Sequence, residues 1–295
     1  MSWRILNISK QCKLSVKNSQ LYYQPFEEQE ITIPIEDISV IILEAPHITV
    51  TSSLLSKCAE YGIAFFTCDS SHSPNGVMIP FFQHSRNTEI AFLQSEWSEP
   101  FKKRLWQKII QQKITNQSFV IQSIKGDNDL LYLVEKVQSG DSTNLESFAS
   151  RTYWSKLFDG FKRHAEDGKN FALNYGYAIL RGSIARYIAS TGMIPCFGIH
   201  HCNNLNAFNL ADDLIEPFRP FVDLKVYNIF KDRGNNASEL KKEDKTELLS
   251  ILTDQCLFKN EQVTLLKACE LVCHSLVNCT KEKNYELIEL PEFIS

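Results

Sequence analysis

The sequence predicts an α+β protein: a small β-rich amino-terminal domain over residues 1–85, then a larger all-α carboxy-terminal domain over residues 86–295. Three observations predict it. Short apolar-polar alternations recur between turn-like breaks through the first 85 residues. From residue 101 onward the apolar spacing changes to the 3.6-residue period of helices. The length of 295 residues exceeds what one small hydrophobic core serves, which argues for two domains meeting near residues 85–95.

In the amino-terminal part the alternating runs fall at 3–8, 13–16, 21–24, 30–35 and 38–43, and they predict a small antiparallel sheet. Thr51 or a neighbouring serine caps a helix over 51–61, Gly62 ends it, and 63–68 resumes as a strand. The polar cluster 69–76 reads as a turn before a last short run at 77–82. Helices are predicted over 101–122, 129–137, 144–158, 171–191, 210–229 and 237–253, with 261–279 closing the bundle. The loop 192–206 separates two of the longest and places two histidines side by side, a natural location for chemistry. Segment 285–295 alternates acidic and apolar residues, as a docked strand or a frayed tail does.

The net charge of −4 suggests no nucleic-acid partner until it is divided along the chain. Residues 1–85 carry 5 basic and 8 acidic side chains, residues 86–186 carry 15 and 11, and residues 187–295 carry 11 and 16. A basic middle fits a phosphate-tracking surface, and equally a solvated helical face. The 9 cysteines are irregularly spaced with no Cys-x-x-Cys pair, as in a cytosolic protein with reduced thiols. No run approaches the roughly 18 to 20 apolar residues of a membrane span, and the first residues lack an export signal's apolar stretch. No phosphate-cradling glycine motif of either common type occurs, so no nucleotide cofactor is expected. Cys269, Cys273, His274 and Cys279 sit within eleven residues, but Cys269 and Cys273 are one helical turn apart and Cys279 falls on a different face from Cys273, so they read as packing rather than zinc ligands.

Three places carry side chains suited to chemistry. Glu146 lies in a helical stretch of small, apolar and aromatic neighbours that ends in Tyr153-Trp154; taken alone it is a partly exposed residue paired with Arg151 or Ser150. Gly198-Ile199-His200-His201 places an adjacent imidazole pair in a loop, where one member serves as a metal ligand or an acid-base group. The third runs from Asn209 to Pro220, where Asp212 or Asp213 shares a helix face with Glu216. The structural explanation there is a capping aspartate and a Glu216–Arg219 pair. The functional one is a divalent cation that relieves the repulsion, and carboxylates with one imidazole suit Mg²⁺ or Mn²⁺ better than Zn²⁺.

Together these residues resemble a known family. Glu146 followed by Tyr153-Trp154, then Gly198-x-x-His201, then Leu210 to Pro220 with Asp213, Glu216 and Arg219, resembles the CRISPR-associated integrase common to CRISPR adaptation systems. Residues 31–44 and 51–76 resemble the same family's β-rich domain and its first helix-strand step. The start Met1-Ser2-Trp3-Arg4 and the stretch Asp223 to Tyr227 further resemble the type II branch, which accompanies the single-effector, dual-RNA-guided nuclease.

The resemblance implies a catalytic metal site for Mg²⁺ or Mn²⁺ built from Glu146, His201 and Glu216, with Asp213 as an auxiliary or supporting residue and His200 as a neighbour. Many relatives carry glycine where this chain has Ser147, a departure that bears on packing. The implied activity is endonuclease and integrase chemistry, in which the 3′-hydroxyl of a captured foreign DNA duplex attacks the phosphodiester at the edge of a CRISPR repeat. DNA would approach over Lys102, Lys103, Arg104, Lys108, Lys156, Lys162, Arg163, Arg181 and Arg186, while Trp3, Trp97, Trp106 and Trp154 read as core or interface residues. The implied partners are double-stranded DNA, a second copy joined through the amino-terminal domain, and a small second adaptation protein in a heterohexamer. The type II effector nuclease and a ring-shaped DNA-binding protein belong to the same expectation, whereas a membrane does not. Two other functions stay open: a metal-dependent nuclease for branched or single-stranded DNA, and a non-catalytic scaffold that binds DNA ends.

Overall fold

The computed structural model describes residues 4–26, 28–70, 72–79, 87–127, 129–163, 165–233 and 240–294. The chain divides into two compact units, Met1–Phe81 and Phe82–Ser295.

In the first unit the expected antiparallel sheet is replaced by two mixed sheets. One has the order β1 (Arg4–Ile8), β5 (Ile38–Leu43), β7 (Ala64–Cys68), β8 (Pro74–Val77), with the first two pairings parallel and the last antiparallel. The other has the order β4 (Ile31–Pro34), β3 (Gln20–Pro25), β2 (Cys12–Lys17), β6 (Ile48–Val50), where β2 and β6 run parallel. The parallel pairings follow from connectivity. Helix α1 (Ser52–Glu60) lies between β5 and β7 in the chain and supplies the crossover that parallel neighbours need. Strand β5 reads ISVIIL without alternation and is buried along almost its whole length, as a central parallel strand is. Thr51 caps α1 by accepting from the Leu54 amide, and Gly62 follows with φ 65°. Both sheets and α1 share one core, which includes Leu14, Leu21, Ile41, Leu54 and Phe65. The last short run expected at 77–82 lies partly outside the described residues.

The second unit is mostly helical. Its helices are α2 (Asn87–Ser95), α3 (Glu99–Lys125), α4 (Leu131–Val134), α5 (Leu145–Leu157), α6 (Gly168–Ser190), α7 (Asn209–Leu214), α8 (Arg219–Phe230), α9 (Lys242–Leu249) and α10 (Leu265–Glu282). The helix expected over 129–137 contracts to the single turn α4, and the expectation for 237–239 lies outside the described residues. The all-α expectation is corrected at one place. Residues Gln255–Phe258 (β9) and Glu261–Thr264 (β10) form a hairpin, turned at Lys259 and Asn260 with φ 54° and 64°. The closing helix therefore starts at Leu265, with Thr264 as its cap.

The helix expected over 210–229 is broken between α7 and α8 by a 3-10 turn, Glu216–Phe218. Pro217 and Pro220 cause the break, because each lacks the amide that would continue the ladder. Helices α6 and α8 pack closely at Gly176, where a Cβ would meet Val222 Cγ1 at 2.5 Å. The tail docks: Leu257 and Glu292 form a β-bridge, and Phe293 stacks between Phe119 and Phe221 at 4.6 Å and 3.9 Å. Among the described residues no helix is long and apolar enough to cross a membrane. Cys269, Cys273 and Cys279 are buried in the packing of α10 and are free thiols.

Candidate metal centre

Glu146 owes its place to a tight reversal before α5. Gly140, Asp141 and Asn144 all have positive φ, at 71°, 49° and 53°. The buried Asp141 carboxylate then accepts from the amides of Leu145 at 2.8 Å and Glu146 at 3.0 Å, which caps the helix and fixes Glu146 in its first turn. Glu216 opens the proline-induced turn between α7 and α8 and is buried. Its Oε1 accepts from Arg219 Nε at 2.7 Å, the pairing that the sequence offers as a structural explanation.

The two glutamates meet at Lys113, on the buried stripe of α3. The Lys113 ammonium lies 2.6 Å from Glu146 Oε1 and 2.5 Å from Glu216 Oε2. Burial would raise the Glu216 carboxyl, but the charges of Arg219 and Lys113 overcome it and bring it to about 2. Burial likewise works against the Lys113 charge, and the two glutamates overcome it, so the ammonium is held above its usual value.

His201 is held from the loop side. Asp213 is fully buried, and its Oδ2 accepts from the amides of Ile199 at 2.5 Å and His200 at 3.1 Å. Its Oδ1 accepts from the His201 amide at 3.0 Å and lies 2.7 Å from His201 Nδ1. A carboxylate accepts only, so Nδ1 carries the proton and Nε2 is left with its lone pair. That hydrogen bond raises the His201 imidazole above its ordinary value, against its partial burial, with the Asp213 and Glu216 charges adding to it. Asp213 thus spends both oxygens on the loop and acts as its anchor.

Gly198 explains the Gly-x-x-His spacing in physical terms. A Cβ there would lie 2.2 Å from the His201 carbonyl oxygen and 2.9 Å from Asp213 Oδ2, so only glycine lets the loop close on its aspartate. Gln94 of α2, also buried, clamps the loop from the other side. Its Nε2 donates to the carbonyls of Ile194 at 3.1 Å and Phe197 at 3.0 Å, and its Oε1 accepts from the Ile194 amide at 2.7 Å. Trp106 forms a floor: His200 stacks on it at 4.3 Å and His201 meets its edge at 5.8 Å. An open cleft beside His201 is lined by Trp97, Lys102, Phe197, Cys202 and Asn203.

Behind Glu216 a buried network supports Arg219. The guanidinium sits over the Tyr177 ring at 4.6 Å, and the hydroxyls of Tyr177 and Tyr153 both donate to Asp223, the latter at 3.0 Å. Burial pushes the Asp223 carboxyl up to about 7, against the lowering effect of the two tyrosine hydrogen bonds. The sequence assigns Tyr153 and Arg219 no more than packing and a carboxylate or phosphate contact; the carboxylates are Asp223 for Tyr153 and Glu216 for Arg219.

The structure therefore brings Glu146 and Glu216 to one ammonium and places His201 on Asp213. Among the described residues no three His, Cys, Asp or Glu side chains stand ready as a metal-binding group. The donor chemistry nevertheless fits a hard divalent cation. Two carboxylates already face a single positive charge at 2.5–2.6 Å, and Mg²⁺ takes such oxygens at about 2.0–2.1 Å. Glu146, Glu216 and His201 Nε2 are the residues that would hold it.

Several expected DNA contacts are otherwise engaged. Arg186 is buried, Arg181 pairs with Asp212 at 2.5 Å, Lys156 pairs with Asp127 and Asp129, and Lys108 pairs with Glu286 at 2.5 Å. The sequence reading omits Lys113, Gln94 and the Asp141 cap. Lys113 had a visible signal, since it falls on the apolar row of Ile109, Ile110 and Ile114.

The sequence profile of the family described as CRISPR associated protein Cas1 matches residues 6–262. The chain belongs to that family. It is 39% identical over 298 aligned residues to the CRISPR-associated endonuclease Cas1 of Neisseria meningitidis serogroup C (strain 8013), spanning 100% of this chain and 97% of that one. Its fold is similar to that of a casposase bound to integration product, with TM-score 0.73 and 20% identity over 96% of this chain and 91% of the other. It is also similar to a chain of a Cas6-RT-Cas1–Cas2 complex, with TM-score 0.74 and 19% identity, covering 100% of this chain and 37% of the other.

Proposed function

We propose that this member of the Cas1 family is a divalent-metal-dependent DNA integrase of CRISPR adaptation, with Glu146, His201 and Glu216 as its metal ligands and Mg²⁺ or Mn²⁺ as its ion. The observation that carries this reading is the convergence of two glutamates, one on α5 and one on the turn between α7 and α8, on one positive charge, with a histidine whose Nδ1 is already taken by a buried aspartate. When bound, the ion supplies Lewis-acid stabilisation of the charge that develops on a scissile phosphate.

The residues of the chain do the rest. Asp213 fixes the His201 ring and raises its basicity, Arg219 keeps Glu216 ionised, and Trp106 and Gln94 hold the loop rigid, which presents the ligands without reorganisation. The cleft beside His201, with Trp97, Phe197 and Lys102 in its wall, offers an approach for a DNA end. In the joining step the 3′-oxygen of the incoming duplex forms a bond to the repeat phosphorus and the bond to the departing 3′-oxygen breaks. One phosphodiester is exchanged for another, and the proton lost by the attacking hydroxyl is matched by the one the leaving oxygen gains.

The partners follow from the same reading. They are double-stranded DNA, a second copy of this chain joined through the amino-terminal unit, and a small second adaptation protein of the kind named in the Cas1–Cas2 neighbour. We assign the chain to the type II branch on its Met1-Ser2-Trp3-Arg4 start and its Asp223 to Tyr227 stretch. That assignment brings the effector nuclease and a ring-shaped accessory DNA-binding protein as further partners, in the prokaryotic cytoplasm.

The test uses a labelled duplex ending in either a 3′-hydroxyl or a 3′-deoxy nucleotide, mixed with the protein, the small partner, a repeat-containing plasmid and Mn²⁺. An integrase transfers label to the plasmid only from the 3′-hydroxyl duplex. A plasmid cut equally with both duplexes and never labelled identifies a nuclease that uses water instead.

A further inference from the structure

We propose that Lys113 is a built-in counter-ion that holds Glu146 and Glu216 together while no divalent cation is bound, and that gives up its place when one enters. The inference rests on reading those glutamates as metal ligands and assigns a positioning role to a residue outside the ligand set.

Four observations carry it. The ammonium touches both carboxylates, at 2.6 Å and 2.5 Å, and among the described residues no other side chain bridges them. Its side chain is only 9% exposed, and burying a charge there costs several kcal/mol that an apolar residue on the α3 stripe would avoid. Glu216 has a second cation, Arg219, on its other oxygen, so what Lys113 alone adds is the link between Glu216 and Glu146. Finally, Glu216 Oε2 lies within ion-pair reach of Lys113 yet lacks an aligned hydrogen-bond donor. That contact is an ion pair at 2.5 Å, a place that another cation can take.

The residue type suits the task. A lysine is a compact charge on a flexible four-carbon stem, able to swing aside, whereas the forked guanidinium of Arg219 is fixed on its carboxylate and ring. Without Lys113 two ionised carboxylates would face each other in a buried site and repel. With it the ligands stay in register, at the cost of competing with the ion. Lys113 therefore lowers affinity for a free divalent cation and keeps the unliganded site intact.

The test is made on the full-length purified chain with Mn²⁺ as the probe. Free Mn²⁺ is followed by electron paramagnetic resonance during titration, and thermal unfolding is recorded in EDTA and in Mn²⁺. The variants are Lys113→Met, Lys113→Gln and Lys113→Arg, with Glu216→Gln as the ligand control. Removing one unit charge in contact with the site is expected to tighten Mn²⁺ binding at least about tenfold in K113M and K113Q. Both should melt below wild type in EDTA and regain that loss in Mn²⁺. K113R, which keeps the charge, should melt like wild type in EDTA and bind Mn²⁺ no more tightly.

Mn²⁺ binding by K113M and K113Q that equals or falls below wild type, while wild type binds and E216Q does not, overturns the counter-ion role and leaves the metal site standing. Absence of any Mn²⁺ binding by wild type that E216Q removes overturns the metal site, and the counter-ion role with it.

Discussion

Replacing Asp213 with Asn tests how the histidine loop is built. Its carboxylate takes four donors, two on each oxygen: the amides of Ile199 and His200 on Oδ2, the His201 amide and Nδ1 on Oδ1. Whichever oxygen becomes the amide nitrogen, two donors face a donor, and of the four only the Ile199 amide belongs to a buried residue. An unpaired donor costs about 1–3 kcal/mol where buried and less where water reaches it, so D213N should lose about 1–3 kcal/mol of unfolding free energy. Urea unfolding in EDTA measures it. The loss should also depend on pH. The Asp213 hydrogen bond raises the His201 pKa in the folded state, so this contribution is fully present below about 6.5 and fades as pH rises through the folded value. D213N should therefore differ more from wild type at pH 5.5 than at pH 9, and the His201 ring should titrate lower by nuclear magnetic resonance. A loss below about 0.5 kcal/mol, or an unmoved His201 titration, would refute the anchoring role.

Three further outcomes follow from the same geometry. Gly198→Ala places a Cβ 2.2 Å from the His201 carbonyl oxygen, so the loop must open; the variant should lose about 1–3 kcal/mol by urea unfolding and, because His201 moves, on the order of 10²-fold in joining rate. Asp223 is held at about 7 when folded, so its contribution is complete below about 3.8 and is lost as pH rises through 7. Asp223→Asn should gain on wild type by about 2.7 kcal/mol between pH 5 and pH 8.5, because the window spans about 2 of the pH units over which the folded acid holds its proton, whereas a stability difference that stays constant with pH would contradict the buried-acid assignment. Phe293→Ala removes a half-buried ring stacked on Phe119 and Phe221 and should cost about 1–3 kcal/mol by the same unfolding measurement; no loss would show that the tail does not dock.

What the sequence makes legible is local. The cap at Thr51, the stop at Gly62 and the long helices α3 and α6 are written in neighbouring residues. Glu146, Gly198-x-x-His201 and Glu216 are legible as short patterns, and Glu216 with Arg219 even as a pair. The remainder depends on contacts between distant residues. Parallel pairing of β1, β5 and β7 is set by which strands are joined through a crossover, and alternation within a strand carries no record of its partner's direction. Lys113 is 33 residues from Glu146 and acquires meaning only when α3 packs beside α5. Gln94 clamps a loop 100 residues away. The break at Glu216 was open to local reading, because Pro217 and Pro220 stand inside the run whose apolar period outweighed them.

The central claim is that Glu146, His201 and Glu216 together hold the ion that joins DNA, and one assay tests it most directly. Wild type and the variants Glu146→Ala, His201→Ala and Glu216→Ala are mixed with the small partner, a labelled 3′-hydroxyl duplex and a repeat-containing plasmid, in Mg²⁺, Mn²⁺ or EDTA, and duplex binding is measured in parallel. The account predicts labelled plasmid from wild type only with metal, and none from the three variants although they still bind the duplex. Variants that join DNA as wild type does, or wild-type joining that persists in EDTA, would contradict it.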